Sequence, residues 1–175
     1  MQGPDNAIWD DGEWISWDDI IRQIEYKEWR AKYPNADLSM VPFFQDLLSI
    51  AEAYHLHTGN HLQVYGDIGE LYGAITYGIC LHENYREGSD GHLGVDLIEV
   101  KTITPFKKNN RVTVKMTGDF TKLLVVRINE DFEINARLID RQDLPKVTGK
   151  VLFLDWAAAL RPKGVNVTNG TQLEI

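Results

Sequence analysis

One acidic residue and one lysine, two positions apart in a strand-like stretch, have the chemistry of a phosphodiesterase site. Glu99 and Lys101 lie in GSDGHLGVDLIEVKT, residues 88 to 102, on either side of Val100. Alternate side chains of a β-strand share one face, so these two are predicted to project side by side. The carboxylate can hold a hard cation, and the lysine can stabilise or orient the attacking hydroxide.

The triplet Glu25-Tyr26-Lys27 is the only other acid-x-lysine sequence in the chain and serves as a control. It falls in a predicted helix, where side chains two residues apart point in different directions. Glu99 and Lys101 are therefore the pair that can form a site. The alternative is a surface ion pair of little energetic value. Leu97 and Ile103 share the predicted face and favour a covered, functional pair.

A second acid is needed near Glu99 to hold a metal, and Asp90 and Asp96 lie upstream. In a strand that is regular from residue 95, Asp96 has the opposite parity and faces away. Asp90 precedes the turn predicted at 92–94 and is free to point at the same site. We therefore expect Asp90 to be the second acid, whereas a β-bulge near Gly94 would favour Asp96.

Three helices are predicted before this strand, and residues 1–13 are expected to be irregular. Ser16 is a plausible N-cap for an amphipathic first helix that ends near Lys32. A second helix begins near Val41-Pro42 and ends near His57. The first helix carries Trp17, Ile20, Ile21 and Ile24 at helical spacing, and the second is expected to bury Phe43, Phe44, Leu47, Leu48 and Ala51.

The third helix, about residues 64–79, carries glycines on one side and an acid beside them. Gly66, Gly69 and Gly73 leave bare backbone that predicts close packing against a neighbour. Glu70 lies off the apolar stripe of this helix. It is either an exposed helix residue or a carboxylate pressed toward the edge of a sheet.

The second half of the chain reads as strands. A hairpin is expected between KLLVVRI, residues 122–128, and the strand that follows it. Helices followed by a four-strand meander indicate an α/β or α+β fold with an antiparallel-rich sheet. The predicted strands are 95–103, 111–116, 122–128, 132–138 and a short 152–154, with a short helix at 156–160 and a Gly/Asn-rich tail.

Composition is that of one ordinary soluble domain, with 43% hydrophobic and 25% charged residues among 175. Residues 1–62 are predicted to form an N-terminal helical extension that packs on a core of residues 63–175. We expect a cytoplasmic protein, since no membrane span or secretory signal is recognisable. Cys80 is the only cysteine and is expected to be buried. The three histidines of HLHTGNH, residues 55–61, are interpreted as solvent-facing at a frayed helix end.

Charge is unevenly distributed around a net charge of −8. Residues 101–127 carry seven basic residues against Asp119 alone, a net charge of +6, so the remainder carries −14. Residues 1–20 contain six acids and no base. Both runs could be ordinary solvated surface. Alternatively, the basic run forms a face beside Lys101, and the acidic run contacts a partner or screens that face.

The order of these residues resembles the PD-(D/E)xK nuclease superfamily, which has the restriction-endonuclease-like fold, and is similar to its small bacterial members. The residues that carry the resemblance are Glu70 in GDIGELYGAI, Asp90 in GSDG, and Glu99, Lys101 and Thr102 in EVKT. The resemblance covers about residues 64–140. Ser89 stands before Asp90 where the family motif has proline.

The resemblance implies a central mixed sheet flanked by helices and a nuclease that cuts DNA. It implies that Asp90, Glu99 and the Val100 carbonyl bind Mg²⁺ or Mn²⁺. Lys101 would position or activate the water, and Glu70 would assist from the helix. The basic face next to this site predicts DNA contacts by Lys107, Lys108, Arg111 and Lys115.

Two further hypotheses stand beside the nuclease. The first is a catalytically inactive scaffold that acts as a protein-binding or regulatory module. Its acidic, tryptophan-rich segment, from Trp9 to Asp19, would contact a protein partner or a second copy of the chain. The second is a restriction-type subunit that relies on a separate specificity protein.

Overall fold

The computed structural model describes residues 7–32, 34, 36–83 and 88–159, and the first element in these residues is a hairpin. Strands β1 (Ala7–Asp10) and β2 (Glu13–Ser16) pair antiparallel. The Trp9 and Trp14 rings meet edge to face across this pair, with centroids 5.3 Å apart. The expectation of irregular structure was therefore wrong for residues 7–13, because cross-strand aromatic pairs stabilise a short hairpin. The C-terminal tail lies outside the described residues.

Helix α1 (Trp17–Lys32) starts where its N-cap predicts. The Asp19 backbone N–H donates to Ser16 Oγ at 3.1 Å, which satisfies one of the free N–H groups at the helix start. However, Trp17, Ile21 and Ile24 remain 49%, 50% and 51% exposed. The described part of the chain therefore leaves this apolar stripe largely uncovered.

Helices α2 (Val41–Thr58) and α3 (Tyr65–Tyr77) confirm the other two helical predictions. Each ends at a glycine with left-handed backbone, Gly59 at φ 70° and Gly78 at φ 74°. A short 3₁₀ helix, Leu38–Met40, precedes α2. The predicted buried stripe of α2 was wrong at Phe43, which is 62% exposed because the neighbouring Phe44 faces the core instead.

Seven strands and a short final helix follow. Their bounds are Cys80–Leu81 (β3), Gly91–Leu93 (β4), Asp96–Ile103 (β5), Arg111–Lys115 (β6), Lys122–Ile128 (β7), Ile134–Asp140 (β8), Val151–Asp155 (β9) and Trp156–Ala159 (α4). Five of them form a mixed sheet in the order β3-β4-β5-β7-β8. Only the β5–β7 pair is parallel within this described sheet.

The expected four-strand meander was wrong, although the mixed sheet and the β7–β8 hairpin are confirmed. β6 leaves the central sheet and pairs antiparallel with β9 to form a separate ribbon. β5 therefore pairs in parallel with β7, and β6 is part of the crossover connection between these two strands. The turn predicted at 92–94 was also displaced, since Gly91–Leu93 is strand and the turn lies at Gly94-Val95.

The central sheet separates two apolar clusters. Ile98 and Val100 of β5 pack in one cluster with residues of α2 and α3. Ile103 packs in the other with residues of β6 and β9. This alternation fixes the two faces of β5. Because Phe44 of α2 packs in the first cluster, α2 shares the core of α3, and the domain boundary at residue 62 stays a prediction. None of the described helices is long and apolar enough to cross a membrane.

Candidate metal and catalytic site

The site forms where β4 separates from β5. Their last paired residues are Gly91 and Ile98, and the Asp90 N–H donates to the Ile98 carbonyl at 2.8 Å. Beyond this point the Val100 N–H donates at 2.6 Å to Oδ2 of Asp90. A side-chain carboxylate thus takes the place of the backbone carbonyl that a neighbouring strand would supply. The separation of β4 from β5 thus turns the Asp90 carboxylate toward the edge of β5.

Three oxygens converge on the Lys101 ammonium. Its Nζ lies 2.6 Å from Glu99 Oε1 and 3.9 Å from Asp90 Oδ2. It also donates to the Val100 carbonyl at 3.0 Å. Glu99 and Lys101 therefore do lie side by side, as strand alternation predicts. Both side chains are partly covered, with Glu99 only 15% exposed, which distinguishes them from a freely solvated ion pair.

Asp96 lies at a different place from Asp90, as the parity argument predicts. Its Oδ1 accepts from Thr121 Oγ1 at 3.0 Å, and its Oδ2 is 3.5 Å from the Lys122 ammonium. Lys122 also pairs with Asp140. Asp96 thus belongs to a separate charged cluster. The alternative in which a bulge near Gly94 brings Asp96 to the site is not the one observed.

Glu70 is half-buried on α3 beside this group. Burial raises its pKa to about 7, and the negative charge of Asp90 adds to the effect, followed by that of Asp67. Lys101 acts in the opposite direction, and Glu99 raises the pKa further. Of the two alternatives for this residue, a partly buried carboxylate is the one observed, and its charge interacts with the charges of Asp90, Glu99 and Lys101.

The glycines of α3 explain how this helix lies so close to the sheet. A Cβ on Gly69 would lie 2.0 Å from Thr102 Oγ1, and one on Gly73 would lie 2.8 Å from a Leu124 methyl group. Bare backbone therefore lets α3 rest directly on β5 and β7. The prediction of close packing was wrong for Gly66, where a Cβ would meet open space.

A cleft of about 570 Å³ opens in front of Asp90 and Glu99. Its far wall comes from the end of β6 and the loop that follows it, which sequence reasoning missed. Arg141 holds this loop by donating to the carbonyls of Met116 and Gly118, both at 2.6 Å, and Phe120 at 3.0 Å. The lining residues are Gly88, Ser89, Asp90, Glu99, Lys115, Thr117, Gly118 and Asp119.

The four basic residues predicted to bind DNA occupy different environments. Lys115 lines the cleft. Lys107 and Lys108 lie exposed on the loop between β5 and β6, where Lys107 Nζ donates to the Arg111 carbonyl at 2.8 Å. Arg111 pairs with Asp155 through contacts of 3.1 and 3.3 Å, so its charge is partly compensated.

The expectation of solvent-facing histidines is confirmed for His57 and His61, which are exposed, and was wrong for His55, which is half-buried. His55 and His61 both stack on the Phe106 ring, with centroids 4.3 and 4.8 Å away. The expectation of a buried cysteine was also wrong. Cys80 is exposed, because it lies on the two-residue edge strand β3. The histidines needed a partner 45 residues or more along the chain, which local patterns do not identify.

Asp90, Glu99 and the Val100 carbonyl are donors of the kind that could hold a hard divalent cation. Mg²⁺ is commonly held by one or two carboxylates and completes its shell with water. Asp90, Glu99 and the Val100 carbonyl supply three oxygens of this kind around one point. The described residues contain no group of three or more His, Cys, Asp or Glu side chains arranged for a metal. Water or substrate oxygens would therefore complete the coordination.

No protein-family model and no curated protein matches this chain.

Proposed function

We propose that this protein is a cytoplasmic, Mg²⁺-dependent nuclease that hydrolyses DNA phosphodiester bonds and belongs to the PD-(D/E)xK superfamily. One observation carries the proposal. The oxygens of Asp90, Glu99 and Val100 converge on a single cationic group beside an open cleft. A site that already gathers three oxygens around an ammonium has the charge and the donors to gather them around Mg²⁺ or Mn²⁺.

Each residue has a definite part in this reaction. Asp90, Glu99 and the Val100 carbonyl would hold the ion, which would lower the pKa of a bound water and polarise the phosphate. Lys101 would orient the attacking water and stabilise the negative charge that develops on the phosphate. Glu70 would assist from the α3 side of the same site.

The surroundings of the site support an anionic substrate. Lys115 lines the cleft on the wall that also carries Asp119, and it can contact a phosphate there. Lys107 and Lys108 extend the positive charge along the loop beyond β5. These contacts would attract any phosphodiester backbone, since phosphate contacts position a strand without reading its sequence.

Plasmid cleavage with and without Mg²⁺ tests the proposal. The wild-type protein should nick or cut DNA in Mg²⁺ and be inactive in EDTA. Asp90→Ala and Lys101→Ala should each lose about 100-fold or more in rate, the usual effect of removing one transition-state contact. Asp96→Ala is the matched control and should keep its activity. Full activity in both Asp90→Ala and Lys101→Ala would contradict the proposal.

A second candidate is a catalytically inactive scaffold that binds protein. The observation in its favour is the exposed apolar stripe of α1, with Trp17 and Ile21 about half exposed next to an acidic segment. A homodimer or another protein could cover this face. Native mass spectrometry that finds self-association of the wild type, together with no cleavage in Mg²⁺, would favour this candidate.

A further inference from the structure

A cluster of three stacked rings lies beyond the C-terminal end of β5, next to two exposed lysines. We propose that Phe106, supported by His55 and His61, is a stacking platform for unpaired bases and that Lys107 and Lys108 bind the adjoining phosphates. The ligand class is a single-stranded nucleic-acid flank. This inference rests on the proposed function, because it names the part of the substrate held outside the reacting site.

The rings are nearly parallel and close. The planes of Phe106 and His55 differ by 29°, those of Phe106 and His61 by 18°, and those of the two histidines by 12°. Tyr65 supports His61 edge-on at 6.3 Å. His61 is exposed and Phe106 is 38% exposed, so the cluster is supported from the protein side and accessible to solvent. Every base has a flat face that can stack on such rings.

The backbone of Phe106 favours a role for its ring. Phe106 has φ 62°, a left-handed conformation that bulky residues rarely adopt and that glycine adopts without strain. Phe132 has a similar φ of 60°, but it is 7% exposed and its core packing accounts for the conformation. Phe106 instead stands at the third position of a turn that follows Pro105, in which the Lys107 N–H donates to the Thr104 carbonyl at 3.4 Å. Glycine usually fills such a position, so a bulky aromatic residue there favours a use of its partly exposed ring as a binding contact.

The charge of the loop suits a phosphate backbone. Residues 103–118 contain four basic residues and no acid. Lys107 donates to the uncharged carbonyl of Arg111, a bond that restrains its side chain, and its ammonium pairs with no acid among the residues that the structure describes. Lys108 is exposed beside it. A cationic surface next to aromatic rings is the combination that single-strand binding sites use.

The position of the platform relates it to the reacting site. Phe106 follows Lys101 by five residues, which sets an upper limit of about 17 Å between them at the rise of an extended chain. This is the span of a few nucleotides. A strand whose scissile phosphate lies at Glu99 and Lys101 could therefore place an unpaired base on Phe106.

Anisotropy titrations in EDTA test the platform without cleavage. The probes are a dye-labelled oligothymidylate, an abasic strand of equal length, a DNA duplex and an oligouridylate. Phe106→Ala should raise the Kd for the oligothymidylate about 5- to 100-fold, which corresponds to one lost base stack. The Kd values for the abasic strand and for the duplex should not change. Phe153→Ala alters a 62% exposed phenylalanine on β9 and is the matched control. It should leave the Kd of every probe unchanged.

Two further substitutions of Phe106 distinguish loss of the ring from loss of folding. Phe106→Gly removes the ring and the backbone strain together, and should show the same loss of binding with an unchanged melting temperature. Phe106→Trp should retain base-dependent binding. The oligouridylate distinguishes RNA from DNA, and a base-dependent loss on either supports the platform. An equal loss on the abasic strand, or no loss on any strand, overturns it.

Failure of the platform and failure of the nuclease give different results. Base-dependent binding through Phe106 in EDTA, with no Mg²⁺-dependent cleavage, supports the platform and contradicts the nuclease. Cleavage that needs Asp90, with binding indifferent to Phe106, overturns the platform and leaves the nuclease standing.

Discussion

The ammonium of Lys101 lies 2.6 Å from Oε1 of Glu99, on the face of β5 that both side chains share. The same ammonium donates to the Val100 carbonyl and lies 3.9 Å from Asp90. In the proposed metal site, it therefore occupies the point at which the oxygen donors for the ion would converge. Lysine and metal should compete for these oxygens, so Lys101 has to move away from Glu99 when an ion binds.

Replacing Lys101 should strengthen metal binding while it weakens catalysis. We expect Lys101→Met to bind Mn²⁺ about fivefold more tightly, which corresponds to the ~1 kcal/mol that a partly exposed ion pair contributes. Isothermal titration calorimetry measures this directly. Lys115→Met, which removes a lysine from the opposite wall of the cleft, should have a smaller effect. Weaker Mn²⁺ binding in Lys101→Met than in the wild type would mean that the ammonium does not compete with the ion.

Two glycines of α3 should respond oppositely to the same substitution. Gly69→Ala brings a methyl group against Thr102 Oγ1, and should lower the free energy of unfolding by about 1–3 kcal/mol. Gly66→Ala meets open space, and should raise it by up to about 1 kcal/mol because alanine has less conformational entropy to lose. Urea denaturation distinguishes the two. Adding Thr102→Ala to Gly69→Ala should recover part of the loss, and no recovery would indicate a clash elsewhere.

Glu70 should make stability depend on pH. Its pKa of about 7 in the folded protein exceeds the ordinary value of 4.5. Between these values the folded state retains a proton that the unfolded state has lost, so the free energy of unfolding falls as pH rises and levels off above about 7. In EDTA, Glu70→Gln should match the wild type near pH 4, below the unfolded pKa, and be more stable near pH 8.

Urea titrations at both pH values check this prediction. Glu52→Gln, at an exposed position on α2, is the matched control and should follow the wild type throughout. Parallel pH profiles for the wild type and Glu70→Gln would contradict the environment assigned to Glu70.

Arg141 should matter far more for stability than Arg111. Arg141 donates to three loop carbonyls, and its guanidinium lies 4.5 Å from the Phe120 ring centre. Arg141→Met leaves those carbonyls without their donor and should cost about 3 kcal/mol. Arg111→Met removes an exposed pair with Asp155 and should cost at most about 1 kcal/mol. Equal losses in chemical denaturation would argue against a holding role for Arg141.

Ser16 and Gly59 show why the helix ends could be predicted from the sequence. Ser16 caps α1 through its own side chain, and Gly59 ends α2 by adopting a left-handed conformation. Both effects are local to a few residues. The exposed face of α1 could not be foreseen, because spacing identifies an apolar stripe and does not identify what covers it.

The same distinction applies to the strands and the site. The two-residue period of β5 predicts that Glu99 and Lys101 project together, and it separates Asp90 from Asp96. The alternation in β6 predicts a buried face, but not that β9, more than 30 residues later, is its partner. Arg141 acts through backbone carbonyls of an irregular loop, and such contacts leave no residue pattern in the chain.

A crystal soaked in Mn²⁺ tests the central claim most directly. The account predicts an anomalous peak within about 2.1 Å of oxygens of Asp90, Glu99 and the Val100 carbonyl, with the Lys101 ammonium displaced from Glu99. The separate acids Asp96 and Asp140, which flank Lys122, provide an internal comparison. No peak at the Asp90 and Glu99 oxygens, or a peak only beside Asp96 and Asp140, would contradict the account.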